Sequence, residues 1–135
     1  MTIVLPSALR DMPTRLSLTV MTALTNSAHE PGYTALTFSP DGKWAYTGGS
    51  DTLVRIWRTD EGADQEPEIS TDATDGVTSL SASKGAWLSG GEDGDVRLYN
   101  AGDSNMEGMV TSAIGVPIRC VALDPKGKRV AVTSE

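Results

Sequence analysis

The chain is poor in the residues from which disulfides and metal sites are built. Among its 135 residues there is one cysteine, Cys120, and one histidine, His29. A single cysteine excludes an intramolecular disulfide and a cysteine-based zinc site, because both need more than one thiol. With no cysteine and no second histidine to join it, His29 is predicted to make a structural hydrogen bond. A catalytic base or a metal ligand is the disfavoured alternative, and no cofactor is expected.

Long apolar runs and an excess of positive charge are also absent. No run of eighteen apolar residues occurs, so neither a transmembrane helix nor a membrane partner is predicted. The formal net charge is −7. Sequence-independent DNA binding needs clustered lysine and arginine that displace counterions from the phosphates. We therefore expect no direct DNA binding, and no small-molecule substrate is expected either.

What the sequence does contain is an internal repeat. The segment Tyr46–Trp57, YTGGSDTLVRIW, recurs as Leu88–Tyr99, LSGGEDGDVRLY. Aligned without a gap, the two segments are identical at five pairs of positions: Gly48/Gly90, Gly49/Gly91, Asp51/Asp93, Val54/Val96 and Arg55/Arg97. A period of about forty to forty-five residues is typical of four-stranded propeller blades.

The repeat predicts an all-β fold with about two and a half four-stranded blades, an incomplete propeller. Blade 1 is placed at about 28–72, blade 2 at about 73–113, and half of blade 3 at about 114–135. The third unit is recognised because Asp124-Pro-Lys-Gly-Lys128 matches the turn Ser39-Pro-Asp-Gly-Lys43. In such turns proline presets φ near −65° and glycine accepts positive φ.

Residues 1–27 do not fit the repeat. They are predicted to be a disordered tail, or an upstream extension in the gene model with Met21 as the true start. A signal peptide and a mitochondrial presequence are disfavoured alternatives, because Asp11 and Pro13 interrupt the leader pattern.

The stretch 59–75 is polar and acidic. It is either a docking tail for a basic partner or a solvated loop with a weak edge strand at about 68–71. The solvated loop is favoured, since charge runs usually form solvent-exposed surface.

The repeated residues resemble the WD-repeat family over residues 28–135. In that family each blade is held by a hydrogen-bonded set of histidine, serine or threonine, aspartate and tryptophan. The matching residues are His29, Thr47, Asp51 and Trp57 in blade 1 and Ser89, Asp93 and Tyr99 in blade 2. Blade 2 lacks the histidine, so Asp93 is expected to be held by turn amides instead.

Other interpretations of the same motifs are weaker. Asp51 and Asp93 as paired acid–base carboxylates would have to converge, whereas they occupy equivalent turns of successive blades. The Gly-Gly pairs lack the Gly-x-x-x-x-Gly-Lys pattern and the following helix of a phosphate site. Cys120 lies in an apolar segment and is predicted to be a small core residue. Trp44 and Trp87 are predicted to pack between blades.

A narrower resemblance rests on three segments: 28–34 (AHEPGYT), 66–68 (EPE) and 116–128 (VPIRCVALDPKGK). They are similar to the fungal SepB-type, chromosome-transmission-fidelity replisome adaptors, also known as the WD-repeat and HMG-box DNA-binding family. The resemblance implies a nuclear, non-enzymatic parent with a second propeller and a trimerising helical region. Such a parent tethers the replicative helicase to DNA polymerase alpha and supports sister-chromatid cohesion.

Propellers commonly bind partners through the loops at one end of the blades. By position, that end is expected to present Thr34, Ser50, Thr78, Glu92 and Arg119. An adaptor of another complex, such as a ubiquitin ligase or the anaphase-promoting complex, is the main alternative function. A propeller-fold hydrolase is the remote one, because it would need converging metal ligands or a Ser-His-Asp set, and the chain has one histidine.

Overall fold

The computed structural model describes residues 32–61, 65–111 and 115–135. Within these ranges the regular elements are all β-strands, which confirms the predicted all-β class. The strands are β1 (Tyr33–Phe38), β2 (Trp44–Gly49), β3 (Val54–Arg58), β4 (Glu68–Ser70), β5 (Val77–Ala82), β6 (Ala86–Gly91), β7 (Asp95–Asn100), β8 (Met106–Thr111), β9 (Ile118–Leu123) and β10 (Val130–Ser134). No helix in the described ranges is long and apolar enough to cross a membrane.

The strands form two complete four-stranded sheets and one two-stranded sheet. Their orders are β1-β2-β3-β4, β5-β6-β7-β8 and β10-β9, and all neighbouring strands are antiparallel. Sequential strands therefore pair, as expected where short turns connect them. This arrangement confirms the predicted partial propeller; the predicted blade limits stay predictions. We refer to β1–β4 as blade 1, to β5–β8 as blade 2 and to β9–β10 as the half blade.

Each first strand contains a β-bulge near its start. The register shifts between Tyr33 and Ala35 in β1 and between Val77 and Ser79 in β5. In the half blade, the shift in the β9–β10 pairing skips Arg119. A bulge inserts one residue without a cross-strand partner and re-aims the side chains that follow it.

The bulge explains why the prediction for Cys120 is wrong. Ile118, Val121 and Leu123 are buried, whereas Cys120 is exposed. Because the bulge shifts the alternation of faces by one residue, Cys120 points away from the face on which Ile118 lies. Simple alternation along the sequence would have kept Ile118 and Cys120 on the same buried face.

The cores lie between the sheets. The first joins Tyr46, Val54 and Ile56 of blade 1 to Val77, Leu80, Trp87 and Tyr99 of blade 2. The second joins Leu88 and Val96 of blade 2 to Ile118, Val121 and Leu123 of the half blade. The chain is therefore stabilised mainly by packing between successive blades, as in other repeat architectures.

One face of β1 contributes to neither core. Leu36 and Phe38 are 57% and 53% exposed, although their equivalents in β5 and β9 face the preceding sheet. The smaller side chains of Ala35 and Thr37 are only partly exposed. The side chains of β1 thus alternate between two faces, and its larger apolar side chains lie on the exposed face.

Two glycines allow the sheets to approach closely. A Cβ built on Gly48 would lie 2.6 Å from Val77 Cγ1, and a Cβ built on Gly90 would lie 2.7 Å from Ile118 Cγ2 and 2.8 Å from Val121 Cγ1. Real Cβ atoms do not come so near. Gly48 and Gly90, which are equivalent positions of the repeat, therefore set the spacing between successive blades.

Replacing Gly90 with alanine is therefore expected to lower the free energy of unfolding by about 1–3 kcal/mol, because the methyl group must displace the branched side chains of β9. Gly108→Ala is the matched control, since a Cβ at that strand glycine meets nothing within 4 Å. Urea denaturation followed by far-ultraviolet circular dichroism measures both. Equal stability losses in the two variants would contradict the close approach.

The turns between second and third strands have different residues at their left-handed position. Gly94 has φ +83°, and its equivalent in blade 1 is Thr52 with φ +70°. Both donate the same turn hydrogen bond, from Thr52 N to Gly49 O at 3.3 Å and from Gly94 N to Gly91 O at 3.1 Å. A β-branched residue in this region is strained.

We expect Thr52→Gly to raise the free energy of unfolding by up to about 1 kcal/mol, because relief of the left-handed strain exceeds the entropic cost of glycine. Thr52→Ala keeps a Cβ and should gain little. The urea midpoints of Thr52→Gly and Thr52→Ala, each compared with wild type, test whether Thr52 is strained. A lower midpoint for the glycine variant would show that it is not.

Candidate functional site

The third-strand tryptophan of blade 1 is fixed by the second strand. Trp57 Nε1 donates to Thr47 Oγ1 at 2.9 Å, and both side chains are buried. An indole N–H buried without a partner would be costly, so this bond holds β2 and β3 in one side-chain arrangement. The structure thus brings together two of the four residues predicted for blade 1. His29 lies outside the described residues, and its predicted role stays a prediction.

In blade 2 the third-strand aromatic residue is Tyr99, and its hydroxyl forms hydrogen bonds to residues at the end of blade 1 and just after it. The Tyr99 hydroxyl donates to Asp72 Oδ2 at 3.2 Å and lies 3.1 Å from Ser70 Oγ. Ser89, the predicted partner, is close enough to Tyr99 to act on the pKa of its hydroxyl, which it lowers. Burial raises the pKa of the Tyr99 hydroxyl above its ordinary value of 10.0, so the group is a neutral donor at neutral pH. Ser70 and Asp72 were not predicted because they lie in the stretch interpreted as a solvated loop.

The repeated turn aspartates pair with the repeated arginines. Arg55 Nη1 lies 2.8 Å from Asp51 Oδ2, and Arg97 Nη1 lies 2.9 Å from Asp93 Oδ2. The blade 1 side chains are 15% and 16% exposed, and both blade 2 side chains are 6% exposed. No role was predicted for these arginines, although their identity in both repeats was a usable signal.

Backbone donors complete the surroundings of Asp93. Its Oδ2 accepts from Thr74 N at 3.0 Å and Oδ1 from Asp95 N at 3.1 Å. Burial acts to raise the pKa of Asp93, but these amides and the Arg97 guanidinium outweigh it and hold the pKa below 3.8. A carboxylate that is ionised at neutral pH and bonded at both oxygens has no proton to exchange there, so its role is structural.

Asp51 and Asp93 sit in separate blades, each with its own arginine. Across the described ranges, no group of three or more histidine, cysteine, aspartate and glutamate side chains is placed to hold a metal ion. The turn carboxylates therefore hold backbone and arginine groups in place.

The five residues predicted to face a partner fall into two sets. Thr34, Thr78 and Arg119 are the bulge residues of the three first strands. Thr78 Oγ1 donates to Ile118 O at 2.5 Å, and Thr34 Oγ1 makes the equivalent bond to Val77 O. Their hydroxyls therefore link successive blades, while exposed Arg119 pairs with Glu135.

The second set, Ser50 and Glu92, is exposed and lies in the turns after β2 and β6. Gly76 brings the two turns together. Its carbonyl accepts from Glu92 N at 2.9 Å, and a Cβ on it would lie 3.5 Å from Ser50 Cα. Ser50 and Glu92 therefore form one continuous surface across blades 1 and 2.

The comparisons with known proteins place this architecture in a family. The profile of the family described as "WD domain, G-beta repeat" matches residues 21–58 and 67–100, more than half of the chain. The chain belongs to the WD-repeat family. As a WD-repeat chain, it is a scaffold for protein–protein interaction.

One sequence relative and one solved structure show what the chain is similar to. The chain is 31% identical over 108 residues to Minichromosome loss protein 1 of Schizosaccharomyces pombe, an alignment that covers 80% of this chain and 13% of that protein. The chain thus corresponds to a small part of that relative. Among solved structures, the Cps50 (Swd1) β-propeller domain of Myceliophteria thermophila matches with a TM-score of 0.69 and 21% identity, over 82% of this chain and 35% of that one. At that identity the likeness supports the propeller fold alone.

Proposed function

We propose that the chain is the N-terminal propeller region of a nuclear, non-enzymatic adaptor whose parent protein links the replicative helicase to DNA polymerase alpha. One observation carries the proposal: the 31% identity to Minichromosome loss protein 1 over 80% of the chain. The name of that relative refers to the loss of minichromosomes. The segments 28–34 and 116–128 support the same assignment through their resemblance to replisome adaptors.

The described geometry is suited to presenting a surface. Buried bonds such as Trp57–Thr47 and Arg97–Asp93 keep the sheets rigid, so the turns at their ends are held in fixed positions. Fixed turns bind with a smaller entropy loss than mobile ones. Ser50 and Glu92 are the two members of the proposed partner face whose side chains lie on exposed turns.

Affinity capture of the full-length protein from nuclear extract, followed by quantitative mass spectrometry, tests the proposal. We expect helicase and DNA polymerase alpha subunits among the captured proteins. Recovery of neither would overturn the replisome assignment. Recovery of ubiquitin-ligase or anaphase-promoting-complex subunits in their place would favour the alternative adaptor.

A paired substitution tests the partner face separately. Ser50→Arg with Glu92→Arg changes the charge of the exposed turns, and we expect at least one captured protein to fall several-fold. Lys43→Glu is the matched control, because Lys43 is exposed in the turn between β1 and β2, at the other end of the sheet. Identical recoveries from the paired variant and wild type would exclude this face while leaving the replisome assignment intact.

A further inference from the structure

The positive charges of the described residues fall into two groups that differ in their surroundings. Four arginines form ion pairs with carboxylates: Arg55, Arg58, Arg97 and Arg119. The other cations make no ion pair among the described residues, and all lie in the turns between first and second strands: Lys43, Lys84, Lys126, Lys128 and Arg129. In a chain of net charge −7, unpaired cations confined to one end of the sheets form a distinct surface.

Three of these cations line one depression, and a fourth lies in the adjoining turn. Lys126, Lys128 and Arg129 surround a shallow depression together with Asp124 and Pro125. The neighbouring turn of blade 2 touches this turn, because a Cβ built on Gly127 would lie 3.0 Å from Ser83 Oγ. Ser83 is buried, and the next residue, Lys84, is exposed. We call Lys84, Lys126, Lys128 and Arg129 the basic turn surface.

The carboxylates near this surface are already occupied. Asp124 Oδ1 accepts from Lys128 N at 2.6 Å and from Arg129 N at 2.9 Å. On the blade 2 side, the loop containing Asp103 borders Lys84, since Ala101 N donates to Gly85 O at 3.0 Å. Asp103 Oδ1 accepts from Asn105 N at 2.9 Å and from Asn105 Nδ2 at 2.8 Å. Neither carboxylate forms an ion pair with a surface lysine.

The fold does not require this positive charge. Blade 1 builds the same turn with Asp41 where the half blade has Lys126. In both turns the glycine is left-handed, with φ +73° at Gly42 and +67° at Gly127. The closing bonds also match: Gly42 N to Ser39 O at 2.9 Å, and Gly127 N to Asp124 O at 2.8 Å. Proline, glycine and a capping oxygen therefore make the turn, so the cations of the half blade are free for recognition.

We infer that the basic turn surface binds an acidic segment of a protein partner. Three cations around a shallow depression, with Lys84 on the adjoining turn, match several carboxylates of an extended peptide, and the capped turn holds the backbone of the depression in place before binding. A peptide suits this surface better than a nucleic acid does. The cations span two adjacent turns, whereas the surrounding net charge of −7 repels a long polyanion. The inference does not depend on the complex to which the parent protein belongs.

Fluorescence anisotropy with the full chain tests the inference. The probe is a short labelled peptide of alternating glutamate and serine, with a glutamine–serine peptide as its neutral twin. We expect the acidic peptide to bind, the neutral one not to bind, and added salt to weaken the complex. Combining Lys84→Gln, Lys126→Gln and Lys128→Gln should weaken binding about tenfold.

Two further variants separate charge from folding. Lys126→Asp copies the blade 1 turn, so it should leave the urea midpoint unchanged while weakening peptide binding several-fold. Lys43→Gln removes an unpaired cation from the blade 1 turn and should leave binding unchanged. Stronger binding of a phosphoserine version of the peptide would support the anionic-peptide assignment and identify phosphate as the favoured anion.

Four outcomes would overturn the inference. They are no binding of the acidic peptide, unchanged binding by the triple variant, an equal loss in Lys43→Gln, and tighter binding of a short DNA duplex than of the peptide. The last would assign the surface to nucleic acid. None of these outcomes bears on the capture of helicase or polymerase subunits, so the two proposals fail independently.

Discussion

Replacing Trp87 with alanine is expected to lower the free energy of unfolding by about 3–5 kcal/mol. Its ring is fully buried and lies between two tyrosines, with ring centroids 3.8 Å from Tyr99 and 5.0 Å from Tyr46. Its Nε1 donates to Asp103 O at 3.0 Å. Because Tyr46 belongs to blade 1 and Trp87 to blade 2, the substitution opens a cavity where the two blades meet.

Graded substitutions at the same position separate packing from hydrogen bonding. Trp87→Phe keeps a ring in the stack but leaves Asp103 O without its donor, so a smaller loss is expected. The stability loss for Trp87→Leu should lie between those of the phenylalanine and alanine variants. Trp87→Leu can still be measured if the alanine variant is largely unfolded in water. Urea denaturation gives the three values. A loss below about 1 kcal/mol for Trp87→Ala would show that the stack does not join the blades.

Replacing Arg97 with leucine is expected to cost about 3–5 kcal/mol, because it leaves the Asp93 carboxylate buried without its countercharge. Arg55→Leu is the matched variant in blade 1. It should cost less, since the Arg55 and Asp51 side chains are 15% and 16% exposed against 6% for Arg97 and Asp93. Adding Asp93→Leu to Arg97→Leu should recover part of the loss, as it removes the unpaired charge.

The cost of Arg97→Leu should also depend on pH. In wild type the folded-state pKa of Asp93 lies below the unfolded value of 3.8, so its stabilisation is complete above that value and is lost as pH falls through the folded pKa. In the variant, protonation of Asp93 instead relieves the buried charge. The difference in unfolding free energy between wild type and variant should therefore shrink from about pH 7 to about pH 3. A difference independent of pH would show that the ion pair is not its source.

The four-stranded sheets were predictable from the repeat and its turn signals, because short turns separate the strands. Ser39-Pro-Asp-Gly marks one hairpin, and the repeat transfers the strand limits of blade 1 to blade 2. The weak edge strand predicted at about 68–71 is observed as β4, Glu68–Ser70. Such local signals survive in the sequence because each hairpin is specified by its own turn residues.

The errors and omissions arise where packing between blades decides the outcome. The bulge at Arg119 shifts the faces of β9 by one residue, so Cys120, which was predicted to be buried, is exposed. Asp72 lies in an acidic run, yet it binds Tyr99 of the next blade. Gly90 was recognised only as part of the repeat, whereas the close approach of Ile118 in the half blade is what requires glycine there. These contacts join residues far apart in the chain, so no local pattern records them.

The stacked rings of Tyr46, Trp87 and Tyr99 also make the junction between blades visible to spectroscopy. Aromatic groups at 3.8 and 5.0 Å couple their electronic transitions, so this trio should dominate the near-ultraviolet circular dichroism of the chain. Trp44 and Trp57 lie outside the stack, and phenylalanine at both positions would leave Trp87 as the sole indole fluorophore. The emission of Trp87 would then report the separation of the two sheets, whereas far-ultraviolet circular dichroism would report the melting of their strands. The two signals together would show whether blades 1 and 2 separate before they unfold.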